Sequence, residues 1–238
     1  MAIYKIFPEK SATLYSYYPT TNTGLDEILE LSTSETIEGT YEVARSIIKF
    51  PQSEILDIIN NKVNGASYSA SLRLSLANAS QIPLDYTIFC HPLSADWNIG
   101  SGRSGDSPAI TDGVSWKWKN YLSGSTWTSS IPTGATGSYP TTNPGGGLWW
   151  TGSSYIATQS FVHNSSLDAI LKVTNTVTAW SGSTISNYGF ILKNSNNIEF
   201  TTSSAFNLKY FSGNTHTIYP PCLEFRWDDS SYNTGSLL

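Results

Sequence analysis

Few side chains in this 238-residue sequence have the types and spacing that catalysis or metal binding requires. The three histidines, His91, His163 and His216, show none of the paired spacings typical of zinc sites. Cys90 and His91 are adjacent, so on a strand their side chains would point to opposite faces, which argues against a catalytic pair. The sequence also lacks the Gly-x-Ser-x-Gly motif of serine hydrolases, and the glycines at 145–147 are not followed by the Lys-Ser/Thr of a phosphate loop.

Paired carboxylates are the remaining basis for an enzyme. Asp96 and Asp106 flank a glycine-rich loop, and Asp228 and Asp229 are adjacent after a strand-like segment. Such pairs could hydrolyse glycosides or, with further oxygen ligands, hold calcium. Aspartates in loops mostly stabilise turns, however, and no EF-hand spacing is present. We therefore expect a protein that is not an enzyme and that uses no cofactor and no metal ion.

Aromatic side chains have more binding potential than any titratable group. The segment 97–150 is rich in tryptophan, and an exposed indole ring can stack on a sugar ring or pack against a protein partner. The alternative is that these rings pack beneath their own loop, and the sequence leaves all three roles open. We predict that a contact surface is formed by Trp118, Trp127, Trp149 and Trp150.

The elements that must position these residues are short β-strands. Apolar and polar residues alternate in 70–77, 167–173 and 222–227, which is typical of half-buried antiparallel strands. Two short helices are predicted, one after Ser53 and one at 174–180. Further strands are predicted at 4–7, 27–32, 45–50, 86–93, 188–193 and 208–211. The fold class is therefore all-β, an antiparallel β-sandwich or jelly roll. Its predicted core includes Leu72, Leu74, Phe190, Leu223 and Phe225.

A long irregular segment interrupts this pattern. Residues from about 98 to 155 are rich in Gly, Ser, Thr and Trp and show no regular alternation. We interpret them as an insertion into one sandwich domain, 1–238, that ends in a polar tail from about 228. Ordering each residue costs about 1–2 kcal/mol. We therefore expect the insertion to be among the least protected parts of the isolated chain.

Charge and hydropathy exclude two classes of partner. The net charge is −5 and the 13 basic residues form no run, so we expect no nucleic-acid partner. No apolar run approaches the roughly 18 residues of a membrane span, and the N-terminal residues show no signal peptide. With two cysteines, Cys90 and Cys222, we expect buried free thiols and no disulfide.

An ordered series of short motifs carries a resemblance to a known family. It comprises Asn-x-Gly at 22–24, Arg-x-x-x-Lys-Phe at 45–50, Ala-x-Leu-x-Leu at 70–74, Asp-Trp at 96–97, Gly-x-Gly at 100–102, Gly-Val-x-Trp at 113–116, Val-Thr at 173–174, Asn-x-Gly-Phe at 187–190 and a final strand at 221–225. Together they resemble the DNRLRE domain, a β-sandwich related to carbohydrate-binding modules. The family commonly has Asp before Val-Thr, where this sequence has Lys172, so the role of that acid does not carry over.

The composition is also similar to that of structural proteins of tailed bacteriophages. On these two resemblances we expect a non-enzymatic component of a virion, such as a decoration, neck or tail protein. Its partners would be other virion proteins and copies of itself, with a host glycan as a further partner. The alternative is a carbohydrate-binding module that recognises a host-surface or extracellular polysaccharide.

Overall fold

The protein is described by a computed structural model that covers residues 1–35, 41–129, 131–137, 144–162, 164–199 and 205–230. Its strands, in chain order, are β1 (Ala2–Ile6), β2 (Lys10–Tyr15), β3 (Ile28–Glu35), β4 (Tyr41–Lys49), β5 (Tyr68–Leu74), β6 (Leu76–Ser80), β7 (Tyr86–Pro92), β8 (Trp118–Asn120), β9 (Ser125–Thr126), β10 (Ala135–Thr136), β11 (Trp149–Trp150), β12 (Ala157–Phe161), β13 (Ala169–Lys172), β14 (Phe190–Asn194), β15 (Phe206–Phe211) and β16 (Cys222–Trp227).

Two antiparallel sheets form the sandwich. The small sheet has the strand order β1-β16-β5-β13. The large sheet has the order β12-β7-β14-β4-β3-β15-β6, and β2 also pairs with β4. Two further pairs, β8-β9 and β10-β11, lie within the insertion. The prediction of an all-β antiparallel sandwich is confirmed.

Cross-strand pairs of apolar residues explain the small sheet. Leu72 on β5 lies opposite Leu223 on β16 and opposite Leu171 on β13, so three leucines form one row on the inner face. The intervening residues, such as Arg73, point to the outer face, as the period of two requires. All five predicted core residues are 2% exposed or less, which confirms them as core.

Two hydrophobic cores flank the large sheet. The main core fills the sandwich and includes Leu72, Phe190 and Phe225. The second core is formed where strands β2, β4 and β14 meet the insertion. Its residues from the insertion and the segment before it are Leu93, Trp97, Val114, Trp116, Trp127, Leu148 and Trp149. The insertion is therefore packed on the sandwich through its own hydrophobic contacts.

The helices are short, as the sequence predicts. Helix α1 (Gln52–Asp57) follows Pro51 rather than a Ser53 cap, because Ser53 lies inside it, and it continues as a π-helical turn at Ile58–Val63. Helix α2 (Thr174–Ser181) buries Val177 and Trp180. A 3₁₀ turn lies at Ser153–Tyr155, and α3 spans Asn196–Glu199. No helix among the described residues is long and apolar enough to cross a membrane.

Both cysteines are buried free thiols. Cys90 lies in the main core, and Cys222 lies opposite Arg73 on the outer face of the small sheet. Burial raises the pKa of both thiols, so neither is activated as a nucleophile.

Replacing Leu223 with Ala should lower the free energy of unfolding by about 2–5 kcal/mol, because it leaves a cavity between three strands. Urea denaturation measures the loss. Ile170→Ala is the matched control, since Ile170 lies on the same sheet but is 46% exposed. Equal losses in the two variants would contradict the assignment of the inner face.

Candidate functional site

The four tryptophans predicted to form a contact surface do not lie on one surface. Trp127 and Trp149 are 0% and 4% exposed and belong to the second core, so for them the prediction is wrong. The indole nitrogen of Trp127 donates to the carbonyl of Ser115 at 2.9 Å within that core. Trp118 and Trp150 are half-buried. These rings pack beneath their own loop because burying a large aromatic surface offsets the entropy of ordering a glycine-rich segment.

The carboxamide of Asn22 joins the insertion to the loop after β2. Asn22 is fully buried, and its Nδ2 donates to the carbonyls of Ile99 and Val114 at 2.7 and 2.8 Å. Its Oδ1 accepts from the backbone nitrogens of Gly24 and Gly102 at 3.2 and 2.7 Å. Both donors and both lone pairs of the amide are therefore used. This cluster holds three chain segments together.

Gly100 and Gly113 allow the backbone of the insertion to lie close to Asn22 and to itself. A Cβ on Gly100 would lie 2.5 Å from Oδ1 of Asn22, and a Cβ on Gly113 would lie 2.4 Å from Cα of Gly100. Gly100 also has a φ of +74°, which residues with a side chain rarely adopt. Four motif glycines, Gly24, Gly100, Gly102 and Gly113, thus lie together around one buried amide.

A buried ion pair fixes the insertion to the large sheet. Arg45 is fully buried, and its Nε and Nη2 donate to Oε1 and Oε2 of Glu199 at 3.1 and 2.8 Å. Its Nη1 donates to the carbonyl of Gly146 at 2.8 Å. The rings of Trp116 and Trp149 lie 5.0 and 5.2 Å from the guanidinium carbon. Because a buried charge without its partner is costly, this arrangement strongly constrains the segment around Gly146.

His91 and Lys193 lie against the same cluster. Nζ of Lys193 lies 3.2 Å from Oε2 of Glu199, and the ring of His91 lies 5.8 Å from that of Trp149. Burial, together with the positive charges of Lys193 and Arg45, lowers the pKa of His91 to about 4. Burial also lowers the pKa of Lys193 despite the nearby Glu199 carboxylate. Both side chains are less than 10% exposed, so they contribute to packing rather than to a solvent-accessible reaction centre.

The aspartates considered for catalysis have structural partners. Asp96 pairs with Lys10 at 3.3 Å, and Asp106 accepts from the backbone nitrogen of Arg103 at 2.7 Å in its own turn. Asp229 pairs with the N-terminal amine at 2.9 Å. Within the described residues, no group of three or more His, Cys, Asp or Glu could hold a metal ion. His163 lies outside the described residues.

A loop with two exposed tyrosines follows β2. Tyr17 and Tyr18 are 58% and 56% exposed, and their rings meet edge to face with centroids 4.8 Å apart. The backbone nitrogen of Ser16 donates to the carbonyl of Val43 at 2.9 Å, and Oγ of Ser16 accepts from the nitrogen of Val43 at 2.8 Å. The tyrosine pair is thus attached firmly to the large sheet on its N-terminal side.

The insertion holds the same loop on its C-terminal side. The carbonyl of Pro19 accepts from the backbone nitrogen of Lys117 and from Oγ of Ser115, both at 2.8 Å. Three residues further on, Asn22 makes its four buried hydrogen bonds. The backbone carrying Tyr17 and Tyr18 is therefore held in place from both ends, and little order has to be gained when a ligand binds.

The tyrosine pair borders a groove, here called the tyrosine groove, with a volume of about 380 Å³. Its main lining residues are Tyr15, Tyr17, Tyr18, Glu30, Glu42 and Asn207. Tyr15 donates to Oε2 of Glu30 at 3.2 Å, and Nδ2 of Asn207 donates to Oε1 of Glu30 at 3.3 Å. Oγ of Ser34 donates to Oε2 of Glu42 at 3.1 Å. The floor thus carries two carboxylates and a carboxamide, below a wall of phenol rings.

A second cavity continues the tyrosine groove along the sheet. It has a volume of about 330 Å³ and shares Tyr15 and Glu30 with the first. Asp26, Arg103 and Lys209 line its far part. Burial raises the pKa of Asp26, although the backbone nitrogen of Ser104 donates to its carboxylate. The sequence signal for this site is the presence of three tyrosines within four residues, at 15, 17 and 18. Tryptophan was considered as the aromatic contact residue, and this site was not predicted from the sequence.

Comparisons with known proteins add no relative. No protein-family model matches the chain, and no curated protein matches it. The resemblance to the DNRLRE domain and the likeness to bacteriophage structural proteins therefore stay predictions. Function has to be inferred from the surfaces that the fold presents.

Acidification should destabilise the protein through His91. The folded-state pKa of about 4 is below the ordinary value of 6.5, so the folded state is more stable with a neutral imidazole than with a charged one. The stabilisation is complete above about pH 6.5 and is lost as the pH falls towards 4, by up to about 3 kcal/mol. Urea titrations at pH 7 and 4.5 should show a smaller difference for His91→Gln than for the wild type. His216→Gln, at an exposed position, should behave as the wild type, and an unchanged pH dependence in His91→Gln would refute the assignment.

Proposed function

We propose that the protein is a non-enzymatic binding module whose tyrosine groove holds a carbohydrate chain. The observation that carries this proposal is the pair of rings, Tyr17 and Tyr18, more than half exposed beside a polar floor. Aromatic rings of this kind beside a groove are suited to a contact with a ligand. The lining of the groove combines these exposed rings with the carboxylates of Glu30 and Glu42 and the carboxamide of Asn207.

The chemistry of the tyrosine groove fits a sugar. A sugar ring has an apolar face of C–H groups and a rim of hydroxyls. The phenol rings offer a surface on which that face can stack. Each carboxylate oxygen of Glu30 and Glu42 has more than one lone pair, so it can accept from a ligand hydroxyl in addition to its present donor.

The length of the groove favours a chain over a single ring. The two cavities share Tyr15 and Glu30, and the second is also lined by Asp26, Arg103 and Lys209. Each volume falls within the range of small-ligand sites. A polysaccharide segment would place one unit on the tyrosine pair and the next beside Asp26 and Arg103.

The position of Glu30 supports binding rather than hydrolysis. Its carboxylate accepts from Tyr15 and Asn207 and lies 3.5 Å from Nζ of Lys209. Three groups of the protein thus hold this carboxylate in one place, as suits a fixed hydrogen-bond acceptor for a ligand hydroxyl. Release of reducing ends from a bound polysaccharide would overturn the non-enzymatic part of the proposal.

Tyr17→Ala and Tyr18→Ala should each weaken glycan binding about 3–10-fold, the loss expected for one aromatic contact. Affinity electrophoresis in gels containing dextran, xylan or hydroxyethyl cellulose measures binding. The matched control is Tyr121→Ala, since Tyr121 is 41% exposed but lies in the insertion away from the groove. If no polysaccharide retards the wild type, or if Tyr121→Ala has the same effect, the proposal fails.

A structural role in a bacteriophage virion is the second candidate. The observation that favours it is an apolar projection between β15 and β16, where Ile218 and Tyr219 are 85% and 54% exposed. Apolar side chains so far out in water suit a contact with a neighbouring subunit. This role is compatible with glycan binding, since a virion protein can attach a particle to a host surface.

If Ile218 and Tyr219 form a contact between copies, sedimentation velocity should show oligomers that Ile218→Asp abolishes. Leu122→Asp is the control, because Leu122 is 74% exposed elsewhere on the surface. A wild-type protein that stays monomeric at all concentrations would remove contacts between identical copies from the second candidate.

A further inference from the structure

The outer face of the small sheet carries a group of positive charges. Lys5, Glu224, Ser71 and Lys172 form one cross-strand row, because Lys5 lies opposite Glu224, Glu224 opposite Ser71, and Ser71 opposite Lys172. Arg226 and Arg73 lie two residues away from this row, on β16 and β5. We name this surface the basic face, defined by Lys5, Arg73, Lys172, Arg226 and Glu224.

One carboxylate organises the basic face. Oε1 of Glu224 lies 2.7 Å from Nε of Arg226 and 3.1 Å from Nη1 of Arg73, and Oε2 lies 3.6 Å from Nζ of Lys5. Burial raises the pKa of Glu224, but the hydrogen bond from Arg226 and the charges of Arg73 and Lys5 outweigh it and leave the pKa below its usual value. The side chain of Glu224 is only 4% exposed, so it is inaccessible from outside.

The cations remain accessible although they share this anion. The side chains of Lys5, Arg226 and Arg73 are 50%, 41% and 34% exposed, and Lys172 is exposed. Four cations and one carboxylate give these five residues a formal charge of +3, on a chain whose net charge is −5. The sign of the surface is thus opposite to that of the molecule.

The dimensions of the basic face limit its occupant. Four strands about 4.8 Å apart and about six residues long give a flat area of roughly 300 Å². Each partner in a standard protein interface buries about 800 Å², so this face is too small for a stable contact with a folded protein. A face of this size can instead hold a short segment of an extended polymer that runs across the strands.

We infer that the basic face binds an anionic polysaccharide, a chain that carries carboxylate groups. Carboxylates suit the arginine fork, which can donate two parallel hydrogen bonds, and Lys5 and Lys172 extend the positive potential to both edges of the sheet. The strand residues on this face include no aromatic ring, so they offer no platform on which nucleic-acid bases could stack. The inference does not rest on the tyrosine groove, which lies on the large sheet.

The test uses polygalacturonate as the anionic probe and dextran as the neutral one. The wild type should bind polygalacturonate in isothermal titration at about 50 mM salt and lose most of that affinity at about 200 mM. The double variant Lys5→Gln/Lys172→Gln should bind about tenfold more weakly, because it removes two exposed charges from the contact. It should fold normally, since Glu224 keeps both arginine partners. Circular dichroism and the melting temperature check the fold.

The matched control is Lys117→Gln/Lys119→Gln, which removes the same charge from the insertion and should bind as the wild type. No binding of polygalacturonate, or an equal loss in both double variants, would overturn the inference. Tighter binding of duplex DNA than of polygalacturonate would assign the basic face to nucleic acid instead. Loss of polygalacturonate binding in Tyr17→Ala alone would assign the anionic chain to the tyrosine groove, whereas dextran binding that survives in Lys5→Gln/Lys172→Gln would leave the groove proposal standing.

Discussion

The buried carboxamide of Asn22 is the constraint on which the accessible surface of the large sheet depends. Its four hydrogen bonds join the loop after β2 to two separate parts of the insertion. Tyr17 and Tyr18 lie between this point and Ser16, which is bound to β4. Because an amide that loses its partners inside a protein costs about 1–3 kcal/mol per group, the loop has one strongly favoured position. The position of the tyrosine groove therefore depends on the hydrogen bonds by which Asn22 joins this loop to the insertion.

Alternation along the strands was sufficient to predict the sandwich, because each sheet has one apolar face. The rows around Leu72 and Leu223 follow this rule, and so does the position of Phe190. Boundaries were less predictable. Strand β2 was missed because its alternation is short and its apolar positions, Ala12 and Leu14, include one small residue, so the pattern is weak although all four residues from Ser11 to Leu14 are buried. The pairing of both β2 and β3 with β4 depends on contacts that are remote in sequence.

The insertion and the candidate site were harder to infer, for a physical reason. Trp116 and Trp127 are buried by a loop without regular period, so no sequence pattern distinguishes them from exposed rings such as Tyr17. Arg45 reads as a charged residue in a strand, yet it is fully buried, because Glu199 arrives from a distant part of the chain. Residue type can suggest aromatic side chains as candidates for binding, whereas their exposure is a property of the tertiary structure.

The pairing of β1 with β16 also constrains how the molecule reaches its folded state. Ala2 lies opposite Trp227, so the first strand has its only described sheet partner more than 200 residues further along the chain. Contacts between such distant residues require a large loop to close and make folding slow. During synthesis, β1 has to wait until β16 has left the ribosome, while the large sheet can already assemble apart from β15 and β6, since β6 joins that sheet through β15. The small sheet is therefore expected to form late, and its basic face is completed only in the final step of folding.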